Sequence, residues 1–259
     1  MLEFFKKKQV GPSKTVSEKR IKDFQEIYNS FSDDQSVDQA SRCSQCGIPY
    51  CQIHCPLNNN IPDWLKYIAE DRLEEAYEIS SSTNAFPEVC GRVCPQDRLC
   101  EGNCVVEKAG FGSITIGSLE KHITETAWEK GWIKPIVSSN KQNQKVAIIG
   151  SGPAGLAAAT YLIEYGYDVE VFEKNDRIGG LMIYGIPNFK LDKSVVIRRH
   201  EWLKESGVIF HTNCEVGKDI TFDDLEKNFD AILISTGVYK ARSLDLNTKK
   251  VNNSVPALD

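Results

Sequence analysis

The sequence predicts two parts, a helical cysteine-rich domain over residues 1–140 and an incomplete α/β domain of the Rossmann type over residues 145–259. Three observations support this division. Eight of the nine cysteines lie between Cys43 and Cys104, and a G-x-G-x-x-G motif begins at Gly150. Between these patterns, residues 131–144 form a polar stretch with the composition of a linker.

Composition limits the possible functions. The chain has 31 Lys and Arg against 36 Asp and Glu, a net charge of −5, so nothing in its charge favours binding to nucleic acid. The longest nearly apolar run, Ala154–Ile163, is far shorter than the roughly 20 residues that span a bilayer, and we expect no membrane partner. Leu2 and Phe4 precede Lys6, the reverse of the order in a signal peptide, so we expect a cytoplasmic protein.

The helical domain contains three segments with apolar residues at helical spacing. They predict a helix from Ser17 to about Phe31, one helical face from Pro62 to Tyr77, and a helix from Thr115 to Glu129. In the third segment Glu120 follows Ile116 by four residues, which places it on or beside the buried stripe. A carboxylate at such a position requires a partner.

The cysteines form two groups with short spacings. These are Cys43-x2-Cys46-x4-Cys51-x3-Cys55 and Cys90-x3-Cys94-x5-Cys100-x3-Cys104. In a protein that we expect to be cytoplasmic, crowded thiols indicate a metal site rather than disulfides, and closely spaced thiolates are typical of iron–sulfur clusters. Structural zinc and unliganded core thiols are the alternatives, but zinc sites favour paired Cys-x2-Cys, and only Cys43 and Cys46 form such a pair. Eight thiols suggest two sites of four, without indicating which thiol belongs to which site.

The second domain alternates strands and helices, which predicts a parallel sheet. The predicted elements are strand Val146–Ile149, helix Ala154–Tyr165, strand Val169–Glu173, helix Val195–Ser206, strand Val208–His211 and strand Ala231–Ser235.

The glycine motif lies between the first strand and the first helix of this domain. Gly150 permits a tight turn, Gly152 lets a pyrophosphate approach the backbone, and Gly155 allows close packing of helix and strand. Glu173 follows Gly155 by 18 residues and ends the second strand, where an acidic side chain can bind a ribose. The combination predicts a dinucleotide.

Two later features favour FAD over NAD. One is the pair Gly179-Gly180, after the acidic residue, and the other is Thr236-Gly237, at the carboxyl end of the last strand. The candidate cofactor-binding residues are Gly150, Gly152, Pro153, Ala154, Gly155, Glu173, Gly180, Leu181, Thr236 and Gly237. No residue is predicted to act as a catalytic acid, base or nucleophile, because the chemistry belongs to the cofactors.

Several longer stretches carry a resemblance to a known family. They include Arg42-Cys43-x2-Cys46-Gly47-Ile48-Pro49, Cys90-Gly91-Arg92-Val93-Cys94-Pro95, Thr115-Ile116-Gly117-Ser118-Leu119-Glu120-Lys121 and Tyr184-Gly185-Ile186-Pro187-x2-Lys190-Leu191. Together they closely resemble the small (beta) subunits of bacterial NADPH-dependent glutamate synthases. That flavoprotein family also includes the amino-terminal part of dihydropyrimidine dehydrogenase and the NADPH subunits of related ferredoxin-linked oxidoreductases.

The resemblance implies a ligand set for two [4Fe-4S] clusters. One cluster would be held by Cys43, Cys46, Cys51 and Cys104, and the other by Cys55, Cys94, Cys100 and Glu120. Cys90 would then be a spare thiol, and its use as the eighth ligand is the rival assignment.

The resemblance also implies a function. In the family NADPH reduces FAD, and the clusters pass the electrons to a large (alpha) subunit that makes glutamate from glutamine and 2-oxoglutarate. The chain would therefore be an oxidoreductase subunit, built from a ferredoxin-like, double-cluster helical domain followed by an incomplete FAD-binding domain.

The resemblance is interrupted after Thr236-Gly237, where the family continues into an NADPH-binding domain. The sequence contains no second G-x-G-x-x-G, so we expect a chain truncated before that domain. Two alternatives remain open. One is a non-enzymatic electron-transfer or docking fragment, and the other is the NADPH subunit of a related ferredoxin-linked or dihydropyrimidine dehydrogenase-type oxidoreductase.

Overall fold

A computed structural model of the chain describes residues 1–238. The remainder of the predicted α/β domain, residues 239–259, lies outside the described residues. No helix within residues 1–238 is long and apolar enough to cross a bilayer.

The amino-terminal half is made of short helices packed around one apolar core. The helices are α1 (Ser17–Asp23), α2 (Asp33–Ala40), α3 (Tyr50–Ile53), α4 (Ile61–Ala69), α5 (Leu73–Ser81), α6 (Pro87–Val93), α7 (Val105–Lys108) and α8 (Ile116–Glu129). Trp64 and Ile68 of α4 pack in this core with Leu119 and Ile123 of α8, and all four are fully buried. Helix α8 agrees with its prediction to within one residue.

Two helix predictions for this half are wrong in extent. Helix α1 stops at Asp23 instead of Phe31, because Phe24 adopts a left-handed backbone (φ 53°) and the chain continues extended, with Tyr28 in a β-bridge to Lys14. Ile21 is 76% exposed, so the apolar residues of this segment do not form a buried helical face.

The predicted face from Pro62 to Tyr77 is divided between two helices, α4 and α5. The chain turns at Asp71, whose backbone is also left-handed (φ 57°). Both helices still bury their apolar residues against the same core, so the periodicity indicated burial correctly while it missed the break.

The carboxyl-terminal half contains a four-stranded parallel sheet in the order β3-β2-β1-β4. Its elements are β1 (Lys145–Ile149), α9 (Pro153–Glu164), β2 (Asp168–Phe172), α10 (Leu181–Tyr184), α11 (Lys193–Glu205), β3 (Ile209–His211), α12 (Phe222–Asn228) and β4 (Ala231–Ile234). Each predicted strand and helix of this half is present, with ends that differ by one or two residues. Ile149 is in register with Phe172 and with Ile234, so β1, β2 and β4 end at the same edge of the sheet.

Helix α6 joins the two halves. Its Val89 and the preceding Phe86 are buried in the apolar core of the sheet half, against residues that include Leu156 and Ile183. Residues 132–144 connect the halves without helix or strand. Because α6 also carries Cys90 and leads into Cys94, the cysteine-rich half is held against the sheet half at one of its thiol groups.

Candidate functional site

One small cavity is surrounded by four thiols, the first thiol group, which takes three cysteines from the first spacing pattern and Cys104 from the second. Cys43, Cys46, Cys51 and Cys104 all line a cavity of about 20 Å³, together with apolar side chains such as Leu65. Cys43 follows α2, Cys46 lies in the next loop, Cys51 is in α3, and Cys104 immediately precedes α7. The structure thus brings together the four cysteines that the resemblance assigns to one cluster, although Cys104 is far from the others in sequence.

Burial is the main electrostatic feature of this group. It raises the pKa of the Cys43 thiol and raises the pKa of Cys51 to about 12, and the neighbouring thiols add to both shifts. The backbone N–H and the Nε2 of Gln45 lie 3.5 and 3.4 Å from Cys43 Sγ and donate to it. A buried thiolate at this position requires nearby positive charge, which iron would supply.

A buried arginine stands beside the first thiol group. The Arg42 side chain is fully buried, and its Nη2 donates to the carbonyl oxygens of Phe111 and Gly112, each at 2.8 Å. Its guanidinium is close enough to Cys104 for their charges to interact. Arg42 therefore fixes the loop after α7 and brings positive charge toward a site where negative charge would collect.

The second thiol group consists of Cys55, Cys94 and Cys100, of which Cys94 directly follows α6. Cys100 lies close enough to Cys55 and to Glu120 for their charges to affect it, and burial raises its pKa. Glu120 in turn interacts with Cys94. The charges of Cys55 and Cys94 thus reach Cys100 and Glu120, respectively, and the charge of Glu120 reaches Cys100.

Glu120 is the buried carboxylate of this group, with 8% of its surface exposed. Burial raises its pKa to about 8, although a hydrogen bond of 2.9 Å from Asn84 Nδ2 to its Oε1 opposes the shift. The charges of Cys94 and Glu88 add to the rise in the pKa of Glu120. A carboxylate in such surroundings is suited to a cation as its partner.

Cys90 also belongs to this neighbourhood. It shares a hydrogen bond with Cys94 that lowers the pKa of Cys94 and, together with burial, raises that of Cys90. Its Sγ also lies 3.6 Å from Asn84 Oδ1. Cys90 is therefore placed between a predicted ligand and Asn84, and proximity does not distinguish it from a ligand.

Within residues 1–238, no three His, Cys, Asp or Glu side chains are grouped so as to hold a single metal ion. In a cubane each thiolate binds a different iron atom, so its ligands surround the cluster and do not converge on one point. Sulfur-rich donors around a small cavity fit the chemistry of such a cluster.

The glycine-rich loop joins β1 to α9 at the carboxyl edge of the sheet. Gly150 has φ 101°, and a Cβ there would lie 2.6 Å from the carbonyl oxygen of Ser235. A Cβ on Gly155 would lie 2.1 Å from the carbonyl oxygen of Gly150, whereas Gly152 faces open space. Pro153 and Ala154 form the first turn of α9, whose unpaired N–H groups would meet a phosphate approaching Gly152.

Glu173 follows β2 and is 4% exposed. Its Oε2 accepts from the N–H and the hydroxyl of Ser151, at 3.1 and 2.5 Å, and its Oε1 accepts from the N–H and Nδ2 of Asn175, at 2.9 and 2.7 Å. The carboxylate thereby fastens the glycine loop to the end of β2. It also lines a cavity of about 220 Å³ shared with Gly150, Cys214 and Thr236.

The remaining predicted cofactor residues lie around the same loop. Gly180 has φ 52°, and a Cβ there would lie 2.9 Å from the Cα of Gly152, so the two glycines approach each other closely. Leu181 begins α10 and is 57% exposed, and Gly237 follows Thr236 with φ 73°.

Sequence reasoning missed the contacts that connect the two halves. Arg199 of α11 donates from Nε and Nη2 to the two carboxylate oxygens of Glu88 in α6, at 2.7 and 2.8 Å, and both side chains are buried. Asn84, which holds Glu120, was also missed. Neither Arg199 nor Asn84 lies in a recognisable motif. Their partners, Glu88 and Glu120, are 111 and 36 residues away in sequence.

Two families match the chain. Residues 20–132 match the dihydropyrimidine dehydrogenase domain II family, described as a 4Fe-4S cluster domain, and residues 148–195 match the NAD(P)-binding Rossmann-like domain family.

Curated relatives match nearly the whole chain. The small chain of NADPH-dependent glutamate synthase from Azospirillum brasilense is 55% identical over 100% of this chain and 54% of that protein. The corresponding protein of Escherichia coli (strain K12) is 46% identical over 99% of this chain and 54% of that protein. The putative oxidoreductase AegA of the same strain is 44% identical, over 91% of this chain and 36% of that protein.

The chain spans about half the length of the glutamate synthase small chains it matches. Its iron–sulfur domain is followed by a Rossmann-like dinucleotide-binding domain. By its similarity to those proteins over 99–100% of its length, the chain belongs to the family of NADPH-dependent glutamate synthase small chains.

Proposed function

We propose that the chain is the part of a glutamate synthase small chain that carries electrons from a flavin through two [4Fe-4S] clusters. In the whole protein, NADPH would be the electron source, and a large subunit that makes glutamate from glutamine and 2-oxoglutarate would receive the electrons. The family membership supports the reaction class, and the geometry of the two thiol groups supports the cofactors.

The observation that carries the proposal is the arrangement of Cys43, Cys46, Cys51 and Cys104 around one cavity. Four thiolates supply the usual complement of ligands for a cubane, and apolar lining shields it from water. We assign the first [4Fe-4S] cluster to these four residues.

The second cluster is assigned to Cys55, Cys94, Cys100 and Glu120. Its support is the closeness of Cys100 to Cys55 and Glu120, and of Glu120 to Cys94. Burial of a carboxylate beside other negative groups is costly, and iron as its partner would remove that cost.

The dinucleotide is assigned as FAD. The bound flavin would accept two electrons as hydride from NADPH, and the clusters would transfer electrons one at a time. This chain would bind the pyrophosphate at Gly152 and the first turn of α9, and would hold the adenosine end in the cavity beside Glu173. The sequence contains one G-x-G-x-x-G motif, so NADPH is proposed to bind elsewhere in the whole protein.

Cofactor analysis of protein purified without oxygen tests the assignment. We expect about eight iron and about eight acid-labile sulfide per chain, which corresponds to two cubanes, together with one FAD. One or two zinc ions per chain without sulfide would overturn the cluster assignment, and NAD in place of FAD would overturn the flavin assignment.

A second candidate function is electron transfer to a different acceptor. The similarity to AegA, at 44% identity, favours keeping this candidate, because that relative is described only as a putative oxidoreductase. Production of glutamate from glutamine and 2-oxoglutarate by the whole protein with its large subunit and NADPH would distinguish the two. A whole protein that oxidises NADPH and reduces only other acceptors would favour the second.

A further inference from the structure

The contacts of Asn84 concern Glu120, and their meaning rests on the proposed function, in which Glu120 is an iron ligand. Asn84 lies in the loop between α5 and α6, with 3% of its surface exposed. Its Nδ2 donates to Glu120 Oε1 at 2.9 Å. Among residues 1–238, no other hydrogen bond to the Glu120 carboxylate is present, so Oε2 is the oxygen left available to a metal.

The orientation of the Asn84 amide is set by its other contacts. Its Oδ1 accepts from the backbone N–H of Phe86 at 3.0 Å and lies 3.6 Å from Cys90 Sγ, which can donate to it. A reversed amide would direct its NH2 group at the N–H of Phe86 and its oxygen at the Glu120 carboxylate, so both of these contacts would become unfavourable. The NH2 group must therefore face Glu120.

We propose that Asn84 is a positioning residue for the second cluster, which holds the Glu120 carboxylate with one oxygen directed toward iron. A protein ligand to a metal is commonly oriented by a hydrogen bond from a neighbouring group, and the loss of that bond weakens the metal site.

Cys90 has a place in this arrangement that does not require it to bind iron. Its thiol lies between Asn84 Oδ1 and Cys94, and its single S–H can donate to one of the two at a time. The chain of contacts runs from Cys90 to Asn84 to Glu120.

The first test compares two buried asparagines. Asn59 is 2% exposed, with its Nδ2 donating to Ser80 O at 2.8 Å and its Oδ1 accepting from Trp64 Nε1 at 2.7 Å, but it makes no hydrogen bond to a proposed ligand. The quantity to measure is the rate at which iron is released to a chelator under anaerobic conditions. In Asn84→Ala, about four of the irons should leave about 10- to 100-fold faster than in the unaltered protein. In Asn59→Ala, the iron of both clusters should leave at the same rate as in the unaltered protein.

The second test exchanges the hydrogen-bond donor and acceptor between positions 84 and 120. Asn84→Asp places two carboxylates against each other and should lose the second cluster, seen as iron falling by half and as loss of one of two paramagnetic signals of the reduced protein. Adding Glu120→Gln should restore both, because the amide introduced at that position can donate to the new carboxylate and keep its oxygen for iron. A role in packing alone would not predict this rescue.

The outcomes separate the inference from the function on which it rests. If Asn84→Ala releases iron at the unaltered rate, or if the double variant fails to recover the second cluster, the positioning role is wrong. If Glu120→Ala keeps both clusters unchanged, the ligand assignment itself is wrong, whatever the Asn84 variants show.

Discussion

The two halves of the molecule prepare their sites by opposite means. In the helical half the proposed ligands are side chains, brought together from loops and helix ends around a cavity lined by Cys43, Cys46, Cys51 and Cys104. In the sheet half the site is largely backbone, and several of its glycines are places where a side chain would collide. The first site should therefore fail when an atom is removed, and the second when an atom is added.

The largest effect is expected from removal of a thiol in the helical half. Cys51→Ala deletes one of four proposed ligands, and the iron content should fall from about eight to about four per chain. The control is Cys214→Ala, which removes the thiol that lies in the sheet half and should leave iron unchanged. An unchanged iron count in Cys51→Ala would show that the assignment of the first cluster to these four residues is wrong.

The next effect is expected from an added methyl group in the glycine loop. In Gly150→Ala the new Cβ would lie 2.6 Å from Ser235 O at φ 101°, so the loop must move and flavin affinity should fall at least tenfold, as measured by fluorescence titration. That change corresponds to about 1.4 kcal/mol. Gly207→Ala is the matched control, since Gly207 has φ 99° with nothing within 4 Å of a Cβ. Equal losses of affinity in both variants would attribute the effect to backbone strain alone.

A third change tests how firmly the halves are joined. Arg199→Met leaves the buried Glu88 carboxylate without its partner and should lower the free energy of unfolding by about 3–5 kcal/mol, as measured by denaturant titration. Adding Glu88→Met should recover most of the loss, because an apolar pair replaces the ion pair. Arg72→Met, in an exposed ion pair with Glu75, is the control and should change little. If the double variant is no more stable than Arg199→Met, the expectation that an apolar pair can replace this ion pair is wrong.

The smallest effect is expected from Cys90→Ser. The serine hydroxyl can still donate to Asn84 Oδ1, so iron should remain at about eight per chain. A fall to half that value would identify Cys90 as a ligand and would replace Glu120 in the assignment. This variant therefore separates a side chain that binds iron from one that supports its neighbours.

The sheet half was predictable because its signals are local. A glycine motif between an apolar strand and a helix predicts a phosphate-binding turn from a few consecutive residues, and in the structure Gly150, Gly152 and Gly155 lie where β1 meets α9. The helical half was less predictable. Apolar spacing indicated burial correctly along α4 and α5 but missed the turn at Asp71, and it predicted a helix beyond Phe24 where the chain is extended.

The amino-terminal error has a physical cause. Beyond Phe24 the chain is held by contacts with distant segments, among them the Glu26 carboxylate, which accepts from Arg92 Nε at 2.6 Å and Lys121 Nζ at 2.7 Å. The Ile27 N–H donates to Phe189 O in the other half at 3.1 Å. Such contacts override a local helical preference, and periodicity carries no information about them.

The sequence by itself determined the kinds of chemistry available: thiols in two groups, one glycine-rich turn and one acidic residue at the end of a strand. Only the tertiary structure decided which groups meet, placing Cys104 beside Cys43, Asn84 on Glu120, and Arg199 of one half on Glu88 of the other. The physical reason is that residue type and spacing record local preferences. Burial, and the partners that buried polar groups require, depend on how distant segments pack.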